Sequence, residues 1–400
     1  MTIIGENSDH ENFVNVVAID SGSGSIKLAT AFINSTSHEL LEMHKHSLDL
    51  KLSKDIEEQL SIKEIEDSGL IHNLYDSYFP LDLCAFFKYD ENQNLALFKE
   101  NSDEAQKFLH EVYANKFSEK IKSIYINNIY SYIESAKKAN PDYPTEVWLV
   151  GTAALRKAGD GDFLIEELSK KLQEELDVTT KFRIISQKEE GIYAFEGGVD
   201  FLGLDADKTI SWDIGGGSMQ ITGKNNSGDF QVLGGVVASS TFAPMVLDLI
   251  GKKDADTIYP ITSDQIKDSI YLGKEKISFS IDQEEWFFDK ADEDGVSIIG
   301  VGNIHASILY IMQLNNIIGK DITEYTYQNM MDLLSIFADK DLESVKSMIL
   351  ESNHSYIENI VTNMILVTAT MEKYGINRVK VADVSNVNTL IYRACYRMTI

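Results

Sequence analysis

Two acidic residues each close an apolar run and open a turn rich in glycine and serine. Val16 to Ile19 ends at Asp20, followed by Ser21-Gly22-Ser23-Gly24-Ser25 and then the apolar-rich stretch Ile26 to Phe32. Ile210, Trp212 and Ile214 alternate around Asp213; Gly215-Gly216-Gly217-Ser218 follows, and Met219 and Ile221 resume the extended pattern. Both stretches read as strand, tight turn, strand. Glycine has no Cβ and accepts positive φ, so the backbone N–H groups of Gly22 to Ser25 and of Gly215 to Ser218 can converge on one point. Ser23, Ser25 and Ser218 add hydroxyl donors. A carboxylate at each strand end suits Mg²⁺, which keeps several waters and takes few protein carboxylates. Facing each other, two such hairpins grip a phosphate chain and its cation from both sides. Each alone also fits an ordinary glycine-tipped turn. Neither matches GxxxxGK[ST], nor GxGxxG opening a helix.

Two further stretches carry charge that phosphate chemistry can use. Gly151-Thr152-Ala153-Ala154-Leu155-Arg156 follows a strand directly. An arginine at a strand-to-helix turn can clamp phosphate oxygens bidentately and offset charge in a transition state; the same residue fits a helix surface. Ile184-Ile185-Ser186-Gln187-Lys188-Glu189-Glu190-Gly191 places two acids at a helix start. A carboxylate in a cleft can orient and deprotonate water. Two solvated glutamates opening a helix are equally what the helix dipole favours.

Together these stretches resemble the exopolyphosphatase/guanosine pentaphosphate phosphatase family of the actin, sugar-kinase and heat-shock ATPase superfamily. Asp20 to Leu28 resembles its first motif and Asp213 to Ser218 its second. Gly151 to Arg156, continued by Asp160-Gly161-Asp162-Phe163-Leu164, resembles its Ala-Thr-Ser-Ala-Leu-Arg stretch, and Ile184 to Gly191 its Ile-Ser-Gly-x-Glu-Glu-Ala segment. The resemblance spans residues 14–240. It implies an α/β fold of two ribonuclease-H-like (actin-like ATPase) domains with the active site in the cleft between them. It implies Glu190 as general base and Arg156 as its catalytic partner. Asp20 and Asp213 are then the Mg²⁺ ligands, and Gly22, Ser23, Gly24, Ser25, Gly215, Gly216, Gly217 and Ser218 the phosphate cradle. The reaction implied is release of terminal phosphate from inorganic polyphosphate or guanosine pentaphosphate (pppGpp).

The departures from the family matter to that reading. Gly24 stands where the family has Asn, and Gln220 where it has Glu. Gly300-Val301-Gly302-Asn303-Ile304-His305 keeps only the first two glycines of a Gly-Thr/Ser-Gly-Gly-Thr turn. Ser385 to Tyr392 lacks a Leu-Arg-Glu-Gly stretch. These losses leave open a catalytically weakened member that binds an alarmone or nucleotide. A small-molecule kinase of the same superfamily is the third alternative, against which the Arg156 and Glu190 motifs stand.

The elements that must position these residues follow from length and periodicity. Four hundred residues suggest two domains. We expect a loose tail over 1–13, domain I over 14–198 with an insertion at about 55–100, and domain II over 199–388. The last helix, 389–400, is available to pack back on domain I. Helical spacing covers Ser102–Ala139, Phe163–Leu176, Ser263–Phe279, Tyr325–Leu334 and Tyr356–Tyr374; strands are expected at Val147–Val150, Lys181–Ile185, Val232–Val237, Val296–Gly302 and Arg378–Val381. The acidic run Glu284 to Asp294 reads as a solvated loop, and the lone His305 and His354 as structural or exposed.

The net charge of −27 disfavours nucleic acid and anionic membrane as partners, and sits awkwardly with a polyanionic substrate. Lys373, Arg378, Lys380, Arg393 and Arg397, against Glu372 and Asp383, offer one basic lane for such a chain. Two cysteines form no disulfide framework and fit a reducing compartment. With no apolar leader and no run long enough to span a membrane, a cytoplasmic protein is expected. A homodimer is left open as the assembly.

Overall fold

The computed structural model describes residues 13–57, 87–89, 95–97, 116–253, 257–279 and 281–400. Most of the expected insertion, the tail 1–12 and the first part of the 102–139 stretch lie outside the described residues. The first sheet contains β1 (Phe13–Ser21), β2 (Ile26–Asn34) and β3 (Glu39–Leu48), and beyond a small hairpin of β4 (Phe87–Tyr89) and β5 (Leu95–Leu97) it gains β6 (Thr145–Gly151) and β7 (Thr179–Ile184). Its order is β3-β2-β1-β6-β7, antiparallel through the first three strands and parallel from β1 onward. The second sheet contains β8 (Thr209–Ile214), β9 (Met219–Lys224), β10 (Phe230–Gly235), β11 (Ser297–Val301), β12 (Glu324–Thr326) and β13 (Arg378–Ala382), in the order β10-β9-β8-β11-β13-β12. A meander of three strands followed by two parallel crossovers occurs twice, with β12 added at one edge. This repeat is the pair of ribonuclease-H-like domains.

Helices cover both faces of β1, which explains why Val14 to Ile19 carries almost no polar break. Val17, Ile19 and Leu149 face a core that includes Ile129 and Ile133 of helix Glu119–Ala139 and Leu164 and Leu168 of helix Gly161–Leu176. Val16, Ala18 and Trp148 face the opposite way, against Val387, Leu390 and Ala394 of helix Asn386–Cys395. Helix Gln187–Leu202 runs unbroken across position 198 and packs against the strands of the second sheet. It ends at Gly203, whose φ of 61° is the left-handed conformation that glycine supplies without strain. The second core is built around helix Ile357–Tyr374, buried on most of its surface by helices Ser239–Leu249, Ser263–Lys276 and Tyr327–Phe337.

Three readings change. Glu284 to Asp294 is not a loop: helix Ile281–Ala291 covers most of it, because Phe287 is fully buried and Glu284 accepts a 2.7 Å hydrogen bond from the Tyr374 hydroxyl. Tyr325 belongs to β12, and its helix starts at Tyr327, capped by Thr326. The last helix starts at Asn386, three residues early, because Ser385 and Asn388 form a capping box. Among the described residues no helix is long and apolar enough to cross a membrane.

Candidate active site

The two hairpin tips are built alike. The β1–β2 ladder ends at Ser21↔Ile26, and Gly22 N–H closes the turn on the Ser25 carbonyl at 3.1 Å. The β8–β9 ladder ends at Ile214↔Met219, and Gly215 N–H closes on the Ser218 carbonyl at 2.8 Å. In each sheet the carboxylate strand has a parallel neighbour leading into a helix: β6 beside Asp20, β11 beside Asp213. The tips touch across the cleft. A Cβ on Gly217 would lie 3.0 Å from Ser23 Oγ and 3.3 Å from Ala153 Cβ, and one on Gly216 would lie 3.1 Å from Ser23 Cβ. Glycine is favoured here by that close approach rather than by a positive φ. Ser25 and Gly24 are half-buried at the first tip, and a Cβ at Gly24 would meet nothing within 4 Å, so the missing asparagine leaves free space.

Glu189 and Glu190 separate cleanly. Glu189 closes the capping box with Ser186 and pairs with Arg183, so its carboxylate fixes the helix start. Glu190, one residue on, is buried and accepts a 2.7 Å hydrogen bond from Arg156 Nη2, while Arg156 Nη1 donates to the Ile185 carbonyl at 2.8 Å. Gly191 then lets the helix sit on β9: a Cβ there would fall 2.5 Å from Thr222 Oγ1 and 3.2 Å from Gln220 Cβ. The structure therefore brings Asp20, Arg156, Glu190 and Asp213 to one place between the sheets.

Burial dominates the electrostatics. Desolvation pushes Glu190 up to about 7; Arg156 opposes this, and the negative charges of Asp213 and Asp20 add to it. Asp213 is pushed up to about 6 by desolvation, with Lys27 opposing and Asp20 adding. Asp20 is also raised by desolvation, against Lys27, a hydrogen bond from Asn386 and Arg156. Asn386 Nδ2 donates to Asp20 Oδ2 at 3.3 Å, whereas Asp20 Oδ1 is buried with no partner.

Lys27 and Asn386 are residues that motif reading did not assign. Lys27 had a signal: it lies within the first motif, directly opposite Asp20 in the antiparallel register. Asn386, 366 residues from its partner, had none.

Gln220 is opposite Asp213 in the β8–β9 ladder and is buried. Its Nε2 donates to Ser218 Oγ at 3.0 Å, and its Oε1 has no partner. In the third motif, Gly302 has φ 89°, and a Cβ there would lie 2.9 Å from Asp213 Oδ1. Gly300 makes room for His305, whose ring would meet a Cβ at 2.5 Å. His305 is fully buried, hydrogen-bonded through Nδ1 to the Tyr325 hydroxyl at 2.7 Å and set edge-on to Trp212. Burial pushes its pKa down to about 3, so it is a neutral core residue.

Four of the five residues of the expected basic lane are engaged within the fold. Arg378 pairs with Glu324, Arg393 with Glu196 and Arg397 with Glu146, while Lys373 donates to the carbonyls of Lys274 and Ile277. A cavity of about 260 Å³ lies away from the site, lined by Glu196, Phe201, Tyr392 and Tyr396 among others.

Residues 105–231, which hold Arg156, Glu190 and Asp213, match the model of the Ppx/GppA phosphatase family. No curated protein sequence matches the chain. Among solved structures, a Ppx/GppA family member from Aquifex aeolicus is similar with a TM-score of 0.60 at 14% identity, over 96% of this chain and 98% of that one. An exopolyphosphatase from Cytophaga hutchinsonii is similar with a TM-score of 0.57 at 14% identity, over 96% and 99%. Residues 105–231 thus match the Ppx/GppA phosphatase family model, and the chain shares the fold of the solved Ppx/GppA structures along nearly its whole length.

Proposed function

We propose that the protein is a Mg²⁺-dependent phosphohydrolase that releases terminal phosphate from inorganic polyphosphate or guanosine pentaphosphate. The observation that carries this is Glu190: a buried carboxylate, pushed up to about 7 and held at 2.7 Å by Arg156, placed where two glycine turns meet. A general base works best with a pKa near the operating pH, and Glu190 has one. Its carboxylate orients a water and takes its proton. Arg156, always charged, is placed to offset charge on the transferring phosphoryl group. The N–H groups of the two turns hold the phosphate chain in line.

Asp20 and Asp213 would hold the Mg²⁺. They fit it on two counts: Asp20 Oδ1 is a buried anion oxygen with no partner, and the negative charge of Asp20 adds to the cost of ionising Asp213. Gly302 leaves Asp213 Oδ1 uncovered by side chain. When bound, the cation neutralises charge on the phosphate oxygens. Gln220 favours a second reading, a member that binds such ligands with little turnover, because a neutral amide stands beside Asp213.

The test is Glu190→Gln, assayed for phosphate release from polyphosphate, guanosine pentaphosphate and ATP in parallel. Loss of about 10²–10⁴ in kcat with unchanged binding of a non-hydrolysable analogue is expected, since shape is kept and proton acceptance is lost. Near-parental turnover would remove Glu190 from the role of base.

A further inference from the structure

We propose that Ser53, which lies outside all the motifs, is a phosphate-binding residue of this site, its hydroxyl donating to the phosphoryl group held by the Gly22–Ser25 turn. The inference rests on the phosphohydrolase reading and extends it to a residue beyond the family pattern. Ser53 sits in the short helix Leu52–Glu57 that follows β3. Its N–H donates to the Ser23 carbonyl at 3.1 Å, so the residue is tied directly to the first phosphate turn. The segment is fixed from its other side as well: Asp55 accepts from Ser118 N–H at 2.8 Å and from Ser118 Oγ at 2.6 Å, where helix Glu119–Ala139 begins.

The chemistry lies in what these residues leave unmade. Ser53 is 7% exposed, Ser23 5% and Asp20 6%. Ser53 Oγ, Ser23 Oγ and Asp20 Oδ1 are all buried and all without a partner. A buried hydroxyl with no hydrogen bond costs the protein the desolvation of that group, and alanine fills nearly the same space without that cost. Two such hydroxyls, on residues joined by one backbone hydrogen bond, and an unpaired carboxylate oxygen on the strand that leads into the same turn are donors and an acceptor that a phosphoryl group with its cation can satisfy. Hydroxyl donors suit a phosphoryl group here, since they bind its oxygens without adding charge to a crowded electrostatic site. Asp20 Oδ1, an acceptor only, meets the cation side of the same ligand.

The experiment pairs stability with binding, measured on the full chain as Ser53→Ala and Ser53→Thr. The probe is imido-bridged tripolyphosphate with Mg²⁺, titrated calorimetrically, beside thermal unfolding without ligand. We expect Ser53→Ala to keep or raise the ligand-free unfolding midpoint while weakening the probe about tenfold or more, the loss of one hydrogen bond to a charged group. Ser53→Thr, which restores a hydroxyl, should bind within about threefold of the parent on the same grounds. Ser53→Ala binding as the parent does would overturn the proposal. A lowered midpoint with binding lost in both variants would show a structural role instead, and also overturn it. A folded parent that fails to bind the probe would defeat the phosphohydrolase reading itself, and this inference with it.

Discussion

Replacing Arg156 by Met should move the pH at which the enzyme turns on. Glu190 acts as a base only when deprotonated, and its pKa of about 7 places the acid limb of kcat/KM near neutrality, with a plateau above. Arg156 Nη2 is 2.7 Å from Glu190 Oε2 and favours the deprotonated form. Two unit charges about 4 Å apart interact by about 4 kcal/mol at an effective dielectric constant near 20. At about 1.4 kcal/mol per pH unit that is an upper bound of roughly three units. Arg156 is partly solvated, so a rise of one to two units is the working figure. At pH 7 the deprotonated fraction of Glu190 then falls from about half to between 1 and 10%, a loss of about five- to fiftyfold. Loss of the phosphate clamp adds to this at every pH, but only the titration part is recovered near pH 9. Arg156→Lys keeps the charge and loses the planar fork, so its limb should stay near 7 beneath a lowered plateau. The assay is phosphate release from pH 5 to 9.5 at constant ionic strength and constant Mg²⁺. If the limb of Arg156→Met coincides with the parent's, the group that titrates is not Glu190 in contact with Arg156.

Asp213→Asn should weaken the Mg²⁺ dependence of turnover, and it should also flatten the pH dependence of stability. Asp213 is raised in the folded state to about 6, so the folded chain binds more protons than the unfolded one, and stability falls as pH rises from about 4 through about 6. Removing that titration should cancel a decline on the order of 3 kcal/mol, read by denaturant unfolding in chelator; an unchanged decline would mean Asp213 is not the buried acid. Gln220→Glu should raise Mg²⁺-dependent turnover by about ten- to a hundredfold, on the scale of a few kcal/mol, by placing a carboxylate beside Asp213. Weaker ligand binding with no turnover would identify a binder instead. Raising monovalent salt from about 20 to 200 mM should lower KM for polyphosphate, because screening relieves repulsion between an acidic chain and a polyanion. A basic lane would give the opposite slope.

The fold was legible where backbone demands were strict. The strand–Asp–glycine pattern fits two tips that meet closely, where a Cβ at Gly216 or Gly217 would crowd Ser23. Arg156 and Glu190 could be placed because each directly follows a strand whose parallel register fixes its height. The illegible parts depend on contacts distant in sequence. Asn386 reaches Asp20 only because the last helix crosses back onto β1. The helix Ile281–Ala291 is acidic in composition yet anchored by Phe287, and a charge run hides so narrow an apolar stripe. Arg378, Arg393 and Arg397 look free in sequence and are each paired in space with an acid from another segment. Lys27 was visible and passed over, because the motif that contains it draws attention to its glycines.

Charge resolves the conflict between an acidic protein and an anionic substrate. With all groups ionised, Asp20, Asp213 and Glu190 outnumber Lys27 and Arg156 by one negative charge within the site, in a chain of net −27. Arg378, Arg393 and Arg397 are each taken up by an acid within the fold. On the proposed function, attraction for a phosphate chain would come from the uncharged N–H donors of the two turns, from Arg156 and from a divalent cation. The raised pKa values come first from burial; the negative charges of Asp213 and Asp20 add to it at Glu190, and that of Asp20 at Asp213. On the proposed function, a divalent cation held by Asp20 and Asp213 would compete with protons there and would lower the cost of ionising Glu190. Arg156 alone supplies a fixed positive charge against Glu190 with or without that cation, which is why its removal bears on the base more directly than on the metal.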